Sequence, residues 1–176
     1  LATIDLEALY IDLHRHPELS FQETRTAGVV TRHLGELGIE FEEGIGKTGV
    51  IGVIRNGEGP VVWLRADMDA LPVKELTGLE YASTARGTDP AGTDVPVMHA
   101  CGHDMHVTAL LGALEQLVAT KDEWSGTIVA VFQPAEEVMD GAINMQEALR
   151  ELVPGGIDVA LGQHVMPGAA GEVLSA

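Results

Sequence analysis

The stretch His-Ala-Cys-Gly-His-Asp-Met-His at residues 99–106 places the single cysteine of the chain among three of its seven histidines. One glycine separates Cys101 from His103, and in a turn it lets both side chains face one point. A thiolate and a neutral imidazole suit Zn²⁺ and similar ions, so this pair is a candidate metal site. The alternative is a buried, unreactive cysteine beside solvated histidines. His99 and His106 could orient ligands or belong to the polar surface.

The segment directly after this motif predicts a helix from His103 to Ala119. Its apolar residues recur at helical spacing, at Val107, Leu110, Leu111, Leu114 and Leu117. A helix N-terminus lowers the pKa of a nearby thiol, so we expect the thiolate form of Cys101 to be favoured.

Two acidic pairs follow apolar runs that predict strands. Glu136 and Glu137 come after Gly-Thr-Ile-Val-Ala-Val-Phe-Gln, and Asp67 and Asp69 come after Val-Val-Trp-Leu-Arg-Ala. One glutamate could bind a metal while the other accepts a proton, although two adjacent glutamates are more often surface residues. The aspartates could bind metal, orient a histidine or cap a turn.

His164 follows a third apolar run, Ile-Asp-Val-Ala-Leu-Gly-Gln. A lone histidine in such a place is more often a hydrogen-bonded core residue than a ligand. In α/β sheets, however, ligands collect beyond the carboxyl ends of the strands. The polar clusters therefore favour one shared site more strongly together than any of them does alone.

The hydrophobic pattern predicts an α/β fold with a mixed, largely parallel sheet flanked by helices. We expect strands buried on both faces after residue 125 and residue 156, and a β-hairpin around the Asn-Gly-Glu-Gly turn. A long excursion without strong periodicity separates residues 70 and 98. The predicted helices are 3–16, 22–37, 103–119 and 142–152, and the predicted strand segments are 50–67, 126–133 and 157–165.

The composition of the chain disfavours some classes of molecule as binding partners. The chain has 176 residues, which fits one domain, and a formal net charge of −17, which disfavours nucleic acid and anionic membranes. No apolar run approaches the roughly 20 residues of a membrane span. A single cysteine agrees with a reducing compartment, so we expect a cytoplasmic protein.

Four ordered motifs carry a family resemblance: Asp-Met-Asp-Ala-Leu-Pro, the 99–106 stretch, Phe-Gln-Pro-Ala-Glu-Glu and Leu-Gly-Gln-His-Val, with His-Arg-His-Pro-Glu-Leu-Ser-Phe-Gln-Glu near the start. In this order they resemble the metal-dependent N-acyl-amino-acid amidohydrolases. That family includes aminoacylases, hippurate hydrolases and auxin–amino acid conjugate hydrolases, within the clan of dinuclear zinc carboxypeptidases.

The resemblance implies a site with two divalent ions (Zn, Mn, Co or Ni), held by Cys101, His103, Glu137 and His164. It implies Glu136 as the general base for a hydroxide that bridges the ions. The implied reaction splits the amide bond of an N-acyl amino acid into a carboxylic acid and an amino acid. Residues 1–176 would form the N-terminal part of the catalytic domain.

Two departures from the family pattern stand out. Asp67-Met68-Asp69 replaces the His-x-Asp of other clan members, so we assign Asp69 a role in orienting a ligand, and Asp104 could act likewise. Val138, Met139 and Asp140 replace a glycine-rich run, which alters the expected pocket. Family members continue with a lid domain and the rest of the catalytic domain, through which homo-oligomers form. We therefore expect this piece alone to be a poor enzyme.

Two other functions remain open on the sequence. Cys101 could be a nucleophile with His103 or His99 as its base, which needs no metal. The chain could also be a non-catalytic module that binds metal or another protein. Activity that survives a chelator would favour the cysteine mechanism.

Overall fold

The computed structural model describes residues 3–174, which form four helices and seven strands. None of these helices has the length and apolar character that crossing a membrane requires. The helices are α1 (Leu6–Arg15), α2 (Thr24–Glu36), α3 (His103–Ala119) and α4 (Gly141–Leu152). The strands are β1 (Glu40–Ile45), β2 (Gly49–Asn56), β3 (Val61–Asp67), β4 (Arg86–Thr88), β5 (Asp94–Pro96), β6 (Gly126–Gln133) and β7 (Val159–Gly162).

Five strands form one mixed sheet in the order β1-β2-β6-β3-β7. β2 runs antiparallel to β1 and β6, whereas β3 runs parallel to β6 and β7. Helices α1, α2 and α3 cover one face of the sheet and α4 covers the other. The predicted α/β class with a mixed sheet flanked by helices is therefore confirmed.

The alternation of side chains along β6 explains why helices cover both faces of the sheet. On β6, Ile128, Ala130 and Phe132 join the core beneath α1–α3, while Val129 and Val131 join the core beneath α4. Successive side chains of a strand point to opposite faces, so a continuous apolar run needs a cover on both sides. The prediction of a buried strand at residues 126–133 is confirmed.

The predicted hairpin between residues 50 and 67 is wrong. β2 and β3 do not pair with each other, because β6 lies between them. The connecting loop passes over the start of β6, where a Cβ on Gly59 would lie 3.0 Å from the backbone of Gly126. β2 is buried along most of its length, which suits a strand with a neighbour on each side. Its neighbours are β1 and β6.

The predicted helices are confirmed with shifted ends. α3 has the bounds expected from its periodicity. α1 starts at Leu6 rather than residue 3, because the side chain of Asp5 accepts the N–H of Ala8 at 3.0 Å and caps the first turn. α2 is followed by Gly38 with φ +68°, a left-handed conformation that suits glycine at the end of a helix.

Two other segments differ from expectation. β7 is short and exposed, with Leu161 54% exposed, whereas the pattern predicted a strand buried on both faces. The reason is its place at the edge, where β3 is its only neighbour among residues 3–174. The excursion over residues 70–98 contains β4 and β5, which pair with each other as a separate ribbon.

Candidate metal centre

The parallel part of the sheet brings three strand ends to one rim. Asp67, the last residue of β3, pairs in register with Gln133, the last residue of β6. β7 runs in the same direction and ends at Gly162, two residues before His164. Because parallel strands present their carboxyl ends at the same edge, the acidic pairs and His164 meet there.

Cys101, His103 and His164 form the first group of possible ligands, with one ligand atom of each within 4.8 Å of the others. Cys101 Sγ lies 3.7 Å from His164 Nε2. Gly102 allows this approach in two ways. Its φ is +83°, and a Cβ there would lie 2.3 Å from Cγ2 of Val165. Any other residue at 102 would therefore push the His164 segment away from the thiol.

His103 also belongs to a second group, with Glu136 and Glu137. Its Nε2 lies 3.7 Å from Glu136 Oε2 and 3.8 Å from Glu137 Oε1. His103 is thus the residue that the thiol, the second imidazole and both glutamates share. The structure brings together the four side chains that the resemblance implies as ligands and the glutamate that it implies as general base.

The donors of this centre fit a divalent cation. The side chain of His103 is fully buried, yet neither ring nitrogen makes a hydrogen bond, and Glu137 Oε1 is also buried without a partner. Buried polar atoms are normally paired, so unpaired ones that converge point to something that they bind. Sulfur, imidazole nitrogen and carboxylate oxygen are the ligands that zinc and related ions take.

Asp69 fixes the backbone of the two glutamates of the centre. This buried carboxylate accepts the N–H groups of Glu136 and Glu137, both at 3.0 Å, and the hydroxyl of Ser20 at 2.7 Å. Its Oδ1 lies 3.3 Å from His103 Nδ1, without the alignment of a hydrogen bond. Burial would raise the pKa of Asp69, but His103, Ser20 and these N–H groups lower it. The carboxylate form is therefore favoured.

His106 lies close to the centre but is already satisfied. Its Nδ1 is 2.6 Å from Asp67 Oδ1, and its Nε2 accepts the N–H of Val165 at 3.0 Å. Asp67, His103 and His106 also have atoms within 4.8 Å of one another. Since both ring nitrogens of His106 are used, we interpret it as the partner that fixes Asp67 and the segment after β7.

Asp104 points away from the centre, toward α1. His14 Nδ1 lies 2.6 Å from Asp104 Oδ2, and His14 Nε2 lies 3.2 Å from Glu75 Oε1. His99 is buried with both ring nitrogens unpaired, and burial lowers its pKa to about 4. His14 thus links α1 to Asp104 on α3 and to Glu75 in the loop after β3. His99 is a neutral imidazole.

The helix N-terminus was expected to lower the pKa of the Cys101 thiol, but the surrounding protein groups act in the opposite direction. Burial and the nearby carboxylate of Glu137 raise the pKa of the thiol to about 11. Those effects outweigh the helix dipole, whose influence is small and short-ranged. A coordinating cation reverses this balance, since it deprotonates a thiol directly.

Ser20 and Glu23 are functional candidates that the sequence reading missed. Both lie in the connection between α1 and α2. Ser20 donates a hydrogen bond to Asp69, and Glu23 accepts the N–H of Ala135, which directly precedes the two glutamates. Both belong to the motif His-Arg-His-Pro-Glu-Leu-Ser-Phe-Gln-Glu at residues 14–23, which contributed to the family resemblance but did not indicate a role for either residue.

Comparison with known proteins identifies the family of the chain. Residues 63–175 match the model of peptidase family M20/M25/M40. The chain is 47% identical over 156 residues to thermostable carboxypeptidase 1 of Saccharolobus solfataricus, which covers 87% of this chain and 37% of that protein. It is 42% identical over 173 residues to the N-acetyl-L-cysteine deacetylase of Bacillus subtilis, with coverages of 97% and 39%.

A solved structure shares the fold. The YXEP protein of Bacillus subtilis, a dinuclear metal binding peptidase from the M20 family, superposes with a TM-score of 0.80 and 40% sequence identity. The match covers 92% of this chain and 43% of that one. The chain thus spans about two fifths of the length of the proteins that it resembles.

Proposed function

The chain belongs to peptidase family M20/M25/M40, and on that premise we propose that it supplies the metal centre of an enzyme that hydrolyses N-acyl amino acids. The activity is proposed for the complete protein, because the chain covers only 39% of the N-acetyl-L-cysteine deacetylase it resembles. The products would be a carboxylic acid and an amino acid.

The observation that carries this proposal is the environment of His103. Its ring is buried, and both of its nitrogens lack a hydrogen bond although a thiol, a second imidazole and two carboxylates surround it. We assign Cys101, His103, Glu137 and His164 as the ligands of two divalent ions, for which Zn, Mn, Co and Ni are all suitable. Such ions, when bound, polarise a carbonyl oxygen and make water more acidic.

Glu136 is the proposed general base. Its side chain is 37% exposed, against 19% for Glu137, so it is the glutamate that water and substrate reach more easily. Glu136 Oε2 would accept a proton from the attacking water and later donate it to the leaving amine nitrogen. Asp69 fixes the backbone of both glutamates, which keeps the two carboxylates in their separate roles.

A cysteine nucleophile is less well supported. Reactive cysteines sit in electropositive surroundings, whereas Cys101 lies beside Glu137 and its pKa is raised. That mechanism also leaves the two glutamates without a task. Loss of activity in a chelator, with recovery on adding Zn²⁺ or Mn²⁺, is expected from the metal mechanism and not from the thiol mechanism.

Removal of a peptide's last amino acid is the second candidate reaction. A relative that is 47% identical is named a carboxypeptidase. The last peptide bond of a peptide is, like the bond in an N-acyl amino acid, an amide of an N-acylated amino acid. The same residues would act in both reactions. Comparing N-acetyl amino acids with dipeptides as substrates of the complete protein separates the two.

The decisive test combines elemental analysis with the variant Glu136→Gln of the complete protein. We expect this variant to keep its metal and to lose hydrolysis of N-acetyl amino acids, since the amide cannot accept the proton. Glu147→Gln, on the exposed side of α4, makes the same chemical change elsewhere and is expected to behave as wild type. Hydrolysis retained by Glu136→Gln would remove Glu136 from the mechanism.

A small-molecule substrate, a cytoplasmic location and a homo-oligomer remain parts of the proposal. The net charge of −17 supports a small molecule rather than nucleic acid or an anionic membrane. The single cysteine supports the location. Sedimentation of the complete protein tests the oligomer.

A further inference from the structure

Glu23 is a fully buried carboxylate that lies just before α2 and outside the proposed ligand set. Three groups donate hydrogen bonds to it. Oε1 accepts the N–H of Ala135 at 2.8 Å and that of Phe21 at 3.0 Å, and Oε2 accepts the hydroxyl of Thr48 at 2.5 Å. These donors come from three different loops, so one side chain joins three connections at the active rim.

Two of these donors belong to strained backbone. Phe21 has φ +62° and Ala135 has φ +49°, values that residues other than glycine seldom adopt. Such conformations persist only where surrounding contacts hold them. Because both N–H groups donate to the same buried oxygen, the carboxylate of Glu23 stabilises both turns.

The turn at Ala135 is tight as well as strained. The carbonyl of Ala135 accepts the N–H of Gly141 at 3.2 Å, which closes the loop after β6. A Cβ on Gly141 would lie 1.6 Å from the carbonyl oxygen of Pro134, so only glycine fits. The loop therefore has little freedom to readjust if the N–H of Ala135 loses its acceptor.

Ala135 directly precedes the two glutamates of the centre. Three consecutive N–H groups, those of Ala135, Glu136 and Glu137, are donated to buried carboxylates. Glu23 takes the first, and Asp69 takes the other two. Glu23 and Asp69 together therefore fix the backbone of three consecutive residues in this loop.

We infer that Glu23 is a positioning residue, which by accepting the N–H of Ala135 fixes the left-handed turn that directs Glu136 and Glu137 toward His103. Its consequences for catalysis rest on the proposed function. The role requires an acceptor oxygen at the position of Oε1 and does not require a negative charge. Glutamine should therefore replace Glu23, whereas a side chain of similar length without an acceptor should not.

The test compares Glu23→Met with Glu23→Gln in the complete protein. Two quantities are measured: the affinity and absorption spectrum of bound Co²⁺, and kcat and KM for an N-acetyl amino acid. For Glu23→Met we expect Co²⁺ affinity and kcat to fall about 10–100-fold, as for other residues that orient ligands, with KM unchanged. Glu23→Gln should retain the wild-type spectrum and kcat.

Two control variants separate positioning from general loss of stability. Thr48→Val removes one donor to Glu23 but leaves the contact with Ala135, so the spectrum should not change. Glu115 is another buried carboxylate that accepts a backbone N–H, that of Ile4 at 2.8 Å. It lies 12 positions after His103 on α3, roughly 18 Å along the helix, so Glu115→Met should lose stability without changing the spectrum.

A wild-type cobalt spectrum and kcat in Glu23→Met would overturn the inference, and so would an equal loss in Glu115→Met. If Glu23→Met does not fold, Glu23→Asp replaces it. Aspartate keeps the charge but withdraws the oxygen from Ala135, and it should show the same loss to a smaller degree. Wild-type behaviour of Glu23→Asp would count against the role.

The cobalt spectrum does not depend on any substrate, so the two proposals can fail separately. A spectrum that changes in Glu23→Met but not in Glu23→Gln supports the positioning role even if the complete protein hydrolyses no N-acyl amino acid. If the enzyme is active and Glu23→Met has the wild-type cobalt spectrum and kcat, the positioning role is contradicted. The proposed function is then unaffected.

Discussion

The buried carboxylate of Asp69 accepts the backbone N–H of Glu136 at 3.0 Å through its Oδ1. Its other oxygen accepts the N–H of Glu137 at the same distance. A side chain with two acceptor oxygens thus sets the direction of both glutamates, and its proximity to His103 extends this control to the imidazole.

Replacing Asp69 by asparagine should disturb the centre without removing any proposed ligand. One acceptor becomes an NH₂ group that faces an N–H, so either Glu136 or Glu137 loses its partner. We expect hydrolysis by the complete protein to fall about 10–100-fold. Asp94→Asn, at an exposed ion pair with Arg86, is the matched control and should have wild-type activity.

Gly102→Ala should weaken metal binding by a steric mechanism. A Cβ there would meet Val165, which follows His164, so the imidazole must move away from Cys101. Gly57→Ala is the control, since Gly57 has φ +78° with nothing within 4 Å of an added Cβ.

Both alanines should cost about 1–3 kcal/mol in backbone strain, measured by urea unfolding. Only Gly102→Ala should also lower the affinity for Zn²⁺ in a calorimetric titration. Adding Val165→Ala should restore that affinity, and an unchanged affinity in the single variant would argue against the steric role of Gly102.

His106→Gln should reduce stability and leave the metal content unchanged. The substitution removes the hydrogen bond to the buried carboxylate of Asp67 and should cost about 1–3 kcal/mol. His103→Gln should instead lose metal, because His103 is shared by both groups of proposed ligands. Elemental analysis of the two variants side by side distinguishes the roles, and loss of metal in His106→Gln would show that His106 is a ligand.

His14 should make stability depend on pH. Burial disfavours its charged form, but the hydrogen bonds to Asp104 and Glu75 outweigh this and raise the pKa of His14 above its ordinary 6.5. The folded protein therefore holds the proton more tightly than the unfolded chain does. The stabilisation is fully present below about pH 6.5 and is lost as the pH rises through the raised pKa.

Urea unfolding between pH 5.5 and about pH 9 measures this effect. His14→Gln should show a flatter decline of the free energy of unfolding with rising pH than wild type. Equal slopes in wild type and His14→Gln would contradict the raised pKa.

The local hydrophobic patterns predicted the helices and strands but not which strands lie next to each other in the sheet. The periodicity of α3 and the apolar run of β6 predicted both with the correct bounds. The hairpin failed because pairing depends on which strand inserts between two others, and residues 50–67 carry no information about β6. The burial of β7 failed for the same reason, since exposure depends on what lies beside the strand.

For the site too, the sequence predicted some features correctly and missed those that depend on contacts between distant residues. The residue types and the rule for parallel strand ends brought Cys101, His103, Glu136, Glu137 and His164 together correctly. The pKa of the thiol was predicted in the wrong direction, because burial of Cys101 and the nearby Glu137, which both raise it, result from contacts between residues distant in sequence. The role of Glu23 was missed although it ends the motif at residues 14–23, because its contact with Ala135 spans 112 positions and the motif does not show what Glu23 contacts.

The central claim is that Cys101, His103, Glu137 and His164 bind metal together. A crystal structure of the zinc-loaded complete protein, with anomalous differences collected at the zinc edge, tests it most directly. We predict zinc peaks bonded to these four side chains, with Cys101 Sγ about 2.3 Å from one of them. Zinc bound elsewhere, with these side chains left free, would contradict the assignment of the centre.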